Sequence, residues 1–399
     1  MSRATKIWRR LPVGLVVLMA LLSATSCASV ESFTARGSVD LAEDERRIWN
    51  RGLEEAQRLD ASGRLYENKE LLDYVNGVAA KLLPENLRGA GLQLRIRIIR
   101  NPFLNAFALP HGAIYLHTGI LAKMENEAQL AALLRHEMVH VTHRHPLQSF
   151  RTAQNTANTL AVLGTLSIPA GNFGAAIQLL GALGGVAAVS GYSRSMEREA
   201  DNQGFELMVN AGYDPTEAPK LFDHLKKERE DRKVGEPFFF GSHPRLSERK
   251  ENFKELIAKQ TNHHERYNGA EAFQQKIAPL LIENAIMDIS LGRWEWAEEA
   301  IQMFRKIRPV DPNGSYQLGE IFRRRAEGED LQKAEESYRA ALASDGKFAG
   351  AYQGLGLLYL KRGDRAKATE AFAKYVELAP DAKDRAYVES YLIELRGMP

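Results

Sequence analysis

The chain has 399 residues, 44% of them hydrophobic, enough to bury more than one core, so two domains are expected. The formal net charge is +2, but Arg3, Lys6, Arg9 and Arg10 stand near the start with no acidic residue among them, leaving −2 on the remainder and no case for nucleic acid as a partner. The one cysteine, Cys27, excludes an internal disulfide, so stability must come from packing and perhaps from a bound metal.

The basic start leads into an apolar run from Leu11 to Leu22, the charged region and short hydrophobic region of an export signal, too short for a confident membrane span. Cys27 follows in Ala24-Thr25-Ser26-Cys27, which resembles a bacterial lipoprotein processing box with Ala24 where leucine is usual. Residues 1–26 are therefore read as a signal peptide and Cys27 as a lipidation site. Ala28, in place of an aspartate, favours an outer-membrane anchor facing the periplasm. Ordinary cleavage nearby is the alternative.

From Ser38 to Leu87 the pattern is helical and charged. Leu92, Leu94, Ile96 and Ile98 then alternate, predicting a strand to Ile99, with further strands over Phe103 to Ala108 and Ala113 to His117. A helix is expected from Asn126 to Gln148, on the apolar stripe Leu130, Leu133, Leu134, Met138 and Val141, with Pro146 marking its end. Inside it, His136-Glu137-Met138-Val139-His140 turns two imidazoles to one face, one turn apart, where they can hold one Zn²⁺ and leave Glu137 to take a proton from water. That chemistry is metal-assisted hydrolysis of an amide.

A zinc peptidase needs a third protein ligand. Glu197 and Asp201 are four apart and share a helical face, Glu197 able to ligate and Asp201 able to hydrogen-bond a ligating histidine. Glu199 falls on another face and is expected to be solvated or paired with an arginine. Between the motifs, Thr159 to Ser190 is apolar and uncharged, interrupted by Pro169-Ala170-Gly171-Asn172, and reads as two short helices covering the cleft or touching a bilayer. Phe238-Phe239-Phe240 is a latch over the cleft or core packing. His111, His117, His143, His145, His224, His263 and His264 are read as surface or hydrogen-bonded residues.

These motifs resemble the HtpX-like and CAAX-prenyl-protease-like zinc metallopeptidases, whose signature joins HExxH to a downstream SRxxExxAD, met here by Ser193, Arg194, Glu197, Ala200 and Asp201. Their further HP-plus-basic element is matched from His243-Pro244-Arg245 to Arg249. The resemblance spans Leu41 to Leu256 and implies an α+β zincin-like domain, mostly helical with a small sheet, over residues 27–267. It implies one Zn²⁺ on His136, His140 and Glu197, with Glu137 as general base and Arg249 lining the cleft. His243 would lie near the metal, as an oxyanion stabiliser or as a resting ligand. Asn105, Ala106 and Phe107 look like the substrate-side edge strand, although His111 stands where glycine is common.

Beyond Asn268 the composition predicts an all-α tetratricopeptide-repeat solenoid over residues 268–399. The clearest unit runs from Ala349 to Ala382, with Tyr352, Leu355, Gly356, Tyr359, Gly363, Ala368, Phe372 and Pro380 at the repeat's positions. Earlier units centre on Ala334, Tyr338 and Ala341, and on Gly292, Ala297, Ile301 and Pro309, and a helix from Arg385 to Leu395 caps the stack. Trp294 and Trp296 are partner contacts or buried packing. The whole layout resembles BepA-type periplasmic proteases with chaperone activity. That implies a zinc endopeptidase acting on unfolded or misfolded polypeptides in quality control of outer-membrane proteins, with assembly proteins bound by the repeats. The alternative is a zinc-stabilised chaperone or assembly scaffold with little proteolysis.

Overall fold

A computed structural model describes residues 32–33, 41–83, 92, 94–155, 192–231, 243, 245–260 and 266–397. The export signal, Cys27, the apolar run from 159 to 190, Phe238 to Phe240, Pro244, His263 and His264 lie outside the described residues. Among the described residues no helix is long and apolar enough to cross a membrane.

Helix α1 (Glu43–Asp60) is followed by α2 (Lys69–Leu82), which starts where the Asn68 side chain accepts the Leu71 N–H and which buries Leu71, Val75, Val78 and Leu82. Three strands follow, β1 (Arg95–Ile99), β2 (Ala106–Ala108) and β3 (Ala113–His117), in the order β1-β3-β2. β1 lies parallel and β2 antiparallel to β3, so β2 is an edge. Two strands are shorter than their sequence patterns predict: β1 begins only at Arg95, and residues 103–105 do not join β2. In the latter case side chains capture the backbone donors that a ladder would use: the Asn101 carboxamide oxygen accepts from Phe103 N–H, and Glu228 accepts from Leu104 N–H at 2.9 Å.

After α3 (Thr118–Lys123) comes α4 (Glu127–Thr142), capped by the Asn126 side chain and buried at every position except Ala132. It stops at Thr142, not at Gln148 as periodicity predicts. His143 and Arg144 form a turn, Arg144 taking φ 56°, and helix resumes at residue 145. Pro146 therefore sits in the first turn of the next helix, where its missing N–H would have no partner in any case. Arg144 is held in the turn by Glu45 of α1, its Nε donating at 2.6 Å. Helices α5 (Arg194–Asn210), α6 (Ala218–Asp231) and α7 (Leu246–Ala258) complete this part of the chain.

The remainder is helical: α8 (Ala270–Ser290) with α9 (Trp294–Ile307), α10 (Pro312–Arg325) with α11 (Asp330–Ser344), α12 (Ala349–Arg362) with α13 (Arg365–Leu378), and a last helix α14 (Arg385–Gly397). The first pair serves two cores. Phe273, Ile277, Leu280, Leu281, Trp296 and Phe304 pack with the core built on α2 and α4, while Ala285, Ile289, Ala297 and Ile301 open the core of the repeats. Trp296 is buried at this seam, its Nε1 donating to Asp231, and Trp294 is half-buried against the repeats.

Within the repeats two glycines make a slot. A Cβ at Gly319 or at Gly354 would come within 2.5 Å of the Tyr338 ring, whose hydroxyl donates to Glu320 at 2.6 Å. Gly354→Ala is expected to lower the stability of the chain by about 1–3 kcal/mol through overpacking. Gly77→Ala, on an exposed helical site with open space around it, should raise it by about 1 kcal/mol. Urea midpoints of the two variants against wild type check both signs.

Asp288 adds a pH dependence. Burial pushes its carboxyl up to about 7, against the pull of Arg293, from an ordinary 3.8. Through that window the folded chain keeps a proton that the unfolded chain has lost, so this group's contribution to stability falls as pH rises. Asp288→Asn should remove that slope, gaining on the order of 3 kcal/mol relative to wild type between pH 4 and pH 8. Equal pH profiles of unfolding for the two proteins would contradict it.

Candidate metal centre

Helices α4 and α5 pack side by side. On α4, the four-residue spacing sets His136 and His140 one turn apart. On α5, the Ser193 side chain accepts the Met196 N–H and starts the helix, so that Glu197 falls in its first turn and Asp201 one turn later on the same face. Arg249 comes from α7, and His243 from the segment before it.

Four side chains converge. His140 Nε2 lies 3.0 Å from His136 Nε2, and His243 Nδ1 lies 3.1 Å from His136 Nε2 and 3.0 Å from Glu197 Oε1. The other Glu197 contacts are 3.5 Å, to His140 and to His136. All four residues are buried, with their ligand atoms within 4.8 Å of one another. Glu137 is beside them, 1% exposed, its Oε1 3.5 Å from His243 Nε2.

The donor set fits a divalent cation. His136 turns Nδ1 to Asp201 Oδ1 at 3.0 Å, which favours its N–H there and turns the Nε2 lone pair toward His140 Nε2, with Arg249 Nη2 3.2 Å from the same atom. Two imidazole lone pairs at that distance repel unless positive charge lies among them. Among the described residues, Glu197 Oε2 and Glu137 Oε1 are buried without a hydrogen-bond partner, Glu197 Oε2 having the guanidinium charge of Arg249 at 3.1 Å. Imidazole and carboxylate donors in this mixture suit zinc.

The charges around Glu197, Asp201 and His140 favour the forms a metal site needs, whereas burial of His243 is outweighed by Glu197 and Glu137, which hold its imidazole above the ordinary value. Burial works against an ionised Glu197, but His243, Arg249 and His136 outweigh it and hold the carboxyl below its ordinary value. Burial likewise opposes ionised Asp201, yet Arg249 and His136 bring it down to about 2. Burial, then the neighbouring imidazoles, push His140 well below its ordinary value, so it is neutral, as a ligand must be. Arg249 donates from Nη2 to Asp201 at 2.8 Å and stands 3.1 Å from Glu197, its guanidinium lying over the Phe222 ring.

Of the residues singled out from sequence, His136, Glu137, His140, Glu197, Asp201, His243 and Arg249 come together at this point. Asn105, Ala106 and Phe107 lie on or beside the edge strand β2, which packs on α4. Asn105 is 3% exposed with its Oδ1 unpartnered, and Ala106 is buried. Phe107 points to the opposite face of the sheet, stacked on Tyr115 at 5.4 Å.

Three neighbours of the site were not legible as such. His145, read as an ordinary histidine, is fully buried with its Nδ1 2.9 Å from His140 Nδ1. Glu199, expected to be solvated or paired with an arginine, is exposed, and among the described residues its ion-pair partners are histidines, His145 at 3.3 Å and His143 at 3.8 Å. A continuous helix would have carried His145 away from His140, and only the turn at Arg144 brings it back. Tyr192, buried and stacked on the His140 ring at 3.8 Å, has no sequence signal at all.

Residues 69–257 match peptidase family M48, and residues 349–382, the span expected of the clearest repeat, match a tetratricopeptide repeat. The chain carries an M48 peptidase domain followed by a tetratricopeptide repeat. It is 29% identical over 176 residues to the beta-barrel assembly-enhancing protease of Yersinia pestis, covering 42% of this chain and 35% of that one. It is 32% identical over 167 residues to the mitochondrial metalloendopeptidase OMA1 of Schizosaccharomyces pombe, covering 42% and 47%. It is 29% identical over 187 residues to the metalloprotease LoiP of Escherichia coli, covering 45% and 68%. The chain thus spans about a third of the length of the beta-barrel assembly-enhancing protease it matches. Zinc is the cofactor of an M48 domain, and His136, His140, Glu197 and His243 are the group that could hold it.

Removing Arg249 would strand Asp201 and Glu197 as buried charges. Arg249→Met is expected to cost the metal-free M48 domain about 3–5 kcal/mol, with added zinc restoring part of the loss by supplying positive charge beside Glu197. Denaturant unfolding with chelator and with zinc measures both; a variant as stable as wild type in chelator would refute the account of Arg249.

Proposed function

We propose that this chain is a zinc-dependent endopeptidase of the bacterial cell envelope that cleaves misfolded or stalled polypeptides, outer-membrane proteins among them, while its repeats bind partner proteins. The observation that carries the reading is the convergence of His136, His140, Glu197 and His243 beside Glu137 inside an M48 domain. The basic, apolar start, the processing-type Cys27 and the likeness to a beta-barrel assembly-enhancing protease support the envelope, with an outer-membrane lipid anchor facing the periplasm.

His136, His140 and Glu197 would hold zinc, which would supply an acidified water and polarise a scissile carbonyl. Glu137 would take a proton from the attacking water and deliver it to the departing amine; among the described residues its Oε1 has no competing hydrogen-bond partner. Asp201 fixes the ring of His136, and Arg249 balances the two buried carboxylates. Edge strand β2 pairs with substrate backbone, giving affinity without strict sequence preference. His243 sets Nδ1 among the donors, 3.0 Å from Glu197, and turns Nε2 toward Glu137. That position favours a resting ligand over an oxyanion stabiliser.

The burial of all four donors is what favours a second reading, a zinc-stabilised chaperone or scaffold with little proteolysis. Glu137→Gln separates the two. It is expected to keep zinc and the melting temperature while losing cleavage of an unfolded protein by about 10²–10⁴-fold. Undiminished cleavage would refute the assignment of Glu137, and rescue of an outer-membrane assembly defect by the variant would favour the scaffold.

A further inference from the structure

We infer that His145 and Glu199 form a relay that fixes the ring and tautomer of His140, and thereby sets how tightly this site holds zinc. The inference rests on the metallopeptidase reading and adds two positioning residues to it. His140 presents Nε2 to the other donors, so its proton must sit on Nδ1. Among the described residues the atom facing that proton is His145 Nδ1, 2.9 Å away, which must then accept. His145 is left with its own proton on Nε2, and there it meets Glu199 Oε2 at 3.3 Å.

The opposite assignment fails at both ends. If His145 donated from Nδ1, the His140 proton would move to Nε2 and point at His136 Nε2 and Glu197. The bare His145 Nε2 would face a carboxylate. Glu199 therefore selects the tautomer of a ring it does not touch. Both imidazoles are 0% exposed, so the His140–His145 contact is sealed from bulk solvent, while Glu199 closes the outer end. Tyr192 stacks on the His140 ring and restrains its plane. The two zinc-facing histidines are thus served differently: His136 by Asp201 directly, His140 by a carboxylate reached through a second imidazole. The relay depends on the turn at Arg144, pinned by Glu45, which carries His145 back beneath His140.

The test uses the full chain, measuring the zinc dissociation constant by competition with a chelator and the melting temperature of the metal-free protein. His145→Leu removes the acceptor and should weaken zinc binding about 10–100-fold. His145→Asn, whose Oδ1 falls near the original Nδ1, should recover most of that loss. Glu199 is exposed, so its variants do not disturb packing: Glu199→Ala should weaken zinc binding several-fold at an unchanged melting temperature, and Glu199→Gln, which still offers an oxygen to His145, should stay near wild type. Wild-type affinity in both His145→Leu and Glu199→Ala, or equal losses in His145→Asn and His145→Leu, would overturn the relay. Glu197→Ala distinguishes this failure from that of the reading beneath it: if Glu197→Ala abolishes zinc uptake while the relay variants do not, only the relay falls. If wild type takes up no zinc, or Glu197→Ala takes it up unchanged, the metallopeptidase reading falls.

Discussion

One buried guanidinium makes the site possible. Glu137, Glu197 and Asp201 are sealed in a volume that also holds three imidazoles, and carboxylates in such a place would protonate if left alone. Arg249 reaches two of them, donating twice to Asp201 and standing beside Glu197. With Asp201 ionised, His136 keeps its proton on the far nitrogen. With Glu197 ionised, a carboxylate is ready for the metal. The arrangement is costly in desolvation and not a source of stability in itself; what it supplies is an ionised Glu197 and a fixed His136 ring before any cation enters.

This explains which parts of the site could be read from sequence. His136 with His140, and Glu197 with Asp201, are local pairs on helices, and a spacing of four fixes their shared face whatever the rest of the chain does. The meeting of the two pairs, and the addition of His243 and Arg249, was legible only through the motif resemblance, because no periodicity encodes which helices pack together. His145, Glu199 and Tyr192 escaped both routes. The position of His145 depends on a left-handed Arg144 inside what reads as one long helix, and on an arginine–glutamate contact with α1, while Glu199 and Tyr192 come from α5 and the segment before it. The expected strand ends failed for a similar reason, since Glu228 and Asn101 take backbone donors from a distance that local pattern does not see.

The repeats were legible for the opposite reason. Their small residues are forced by close approach within a regular stack, as the Gly319–Tyr338–Gly354 slot shows, and regular stacks repeat their signals. What the period hides is where the stack ends. Composition changes near Asn268, yet Phe273, Ile277 and Leu281 on the first repeat helix lie in the core of the peptidase part.

That shared helix carries the chain of contacts furthest. Arg293, in the turn between α8 and α9, lies 4.7 Å from the ring centres of both Phe103 and Trp296 and pairs with Glu228 at 3.2 Å. Glu228, itself fully buried, accepts the Leu104 N–H. Leu104 precedes Asn105, the residue from which edge strand β2 departs. A residue of the first repeat and a carboxylate of α6 therefore jointly hold the segment that sets the height of the edge strand over α4. Cutting the chain at the compositional boundary would remove Arg293, take from the buried Glu228 carboxylate its ion pair with that guanidinium, and expose Phe103 and the Trp296-facing side of Lys123. The first repeat helix pair is for that reason part of the structure that positions edge strand β2 over α4, and the repeats form a body continuous with that strand.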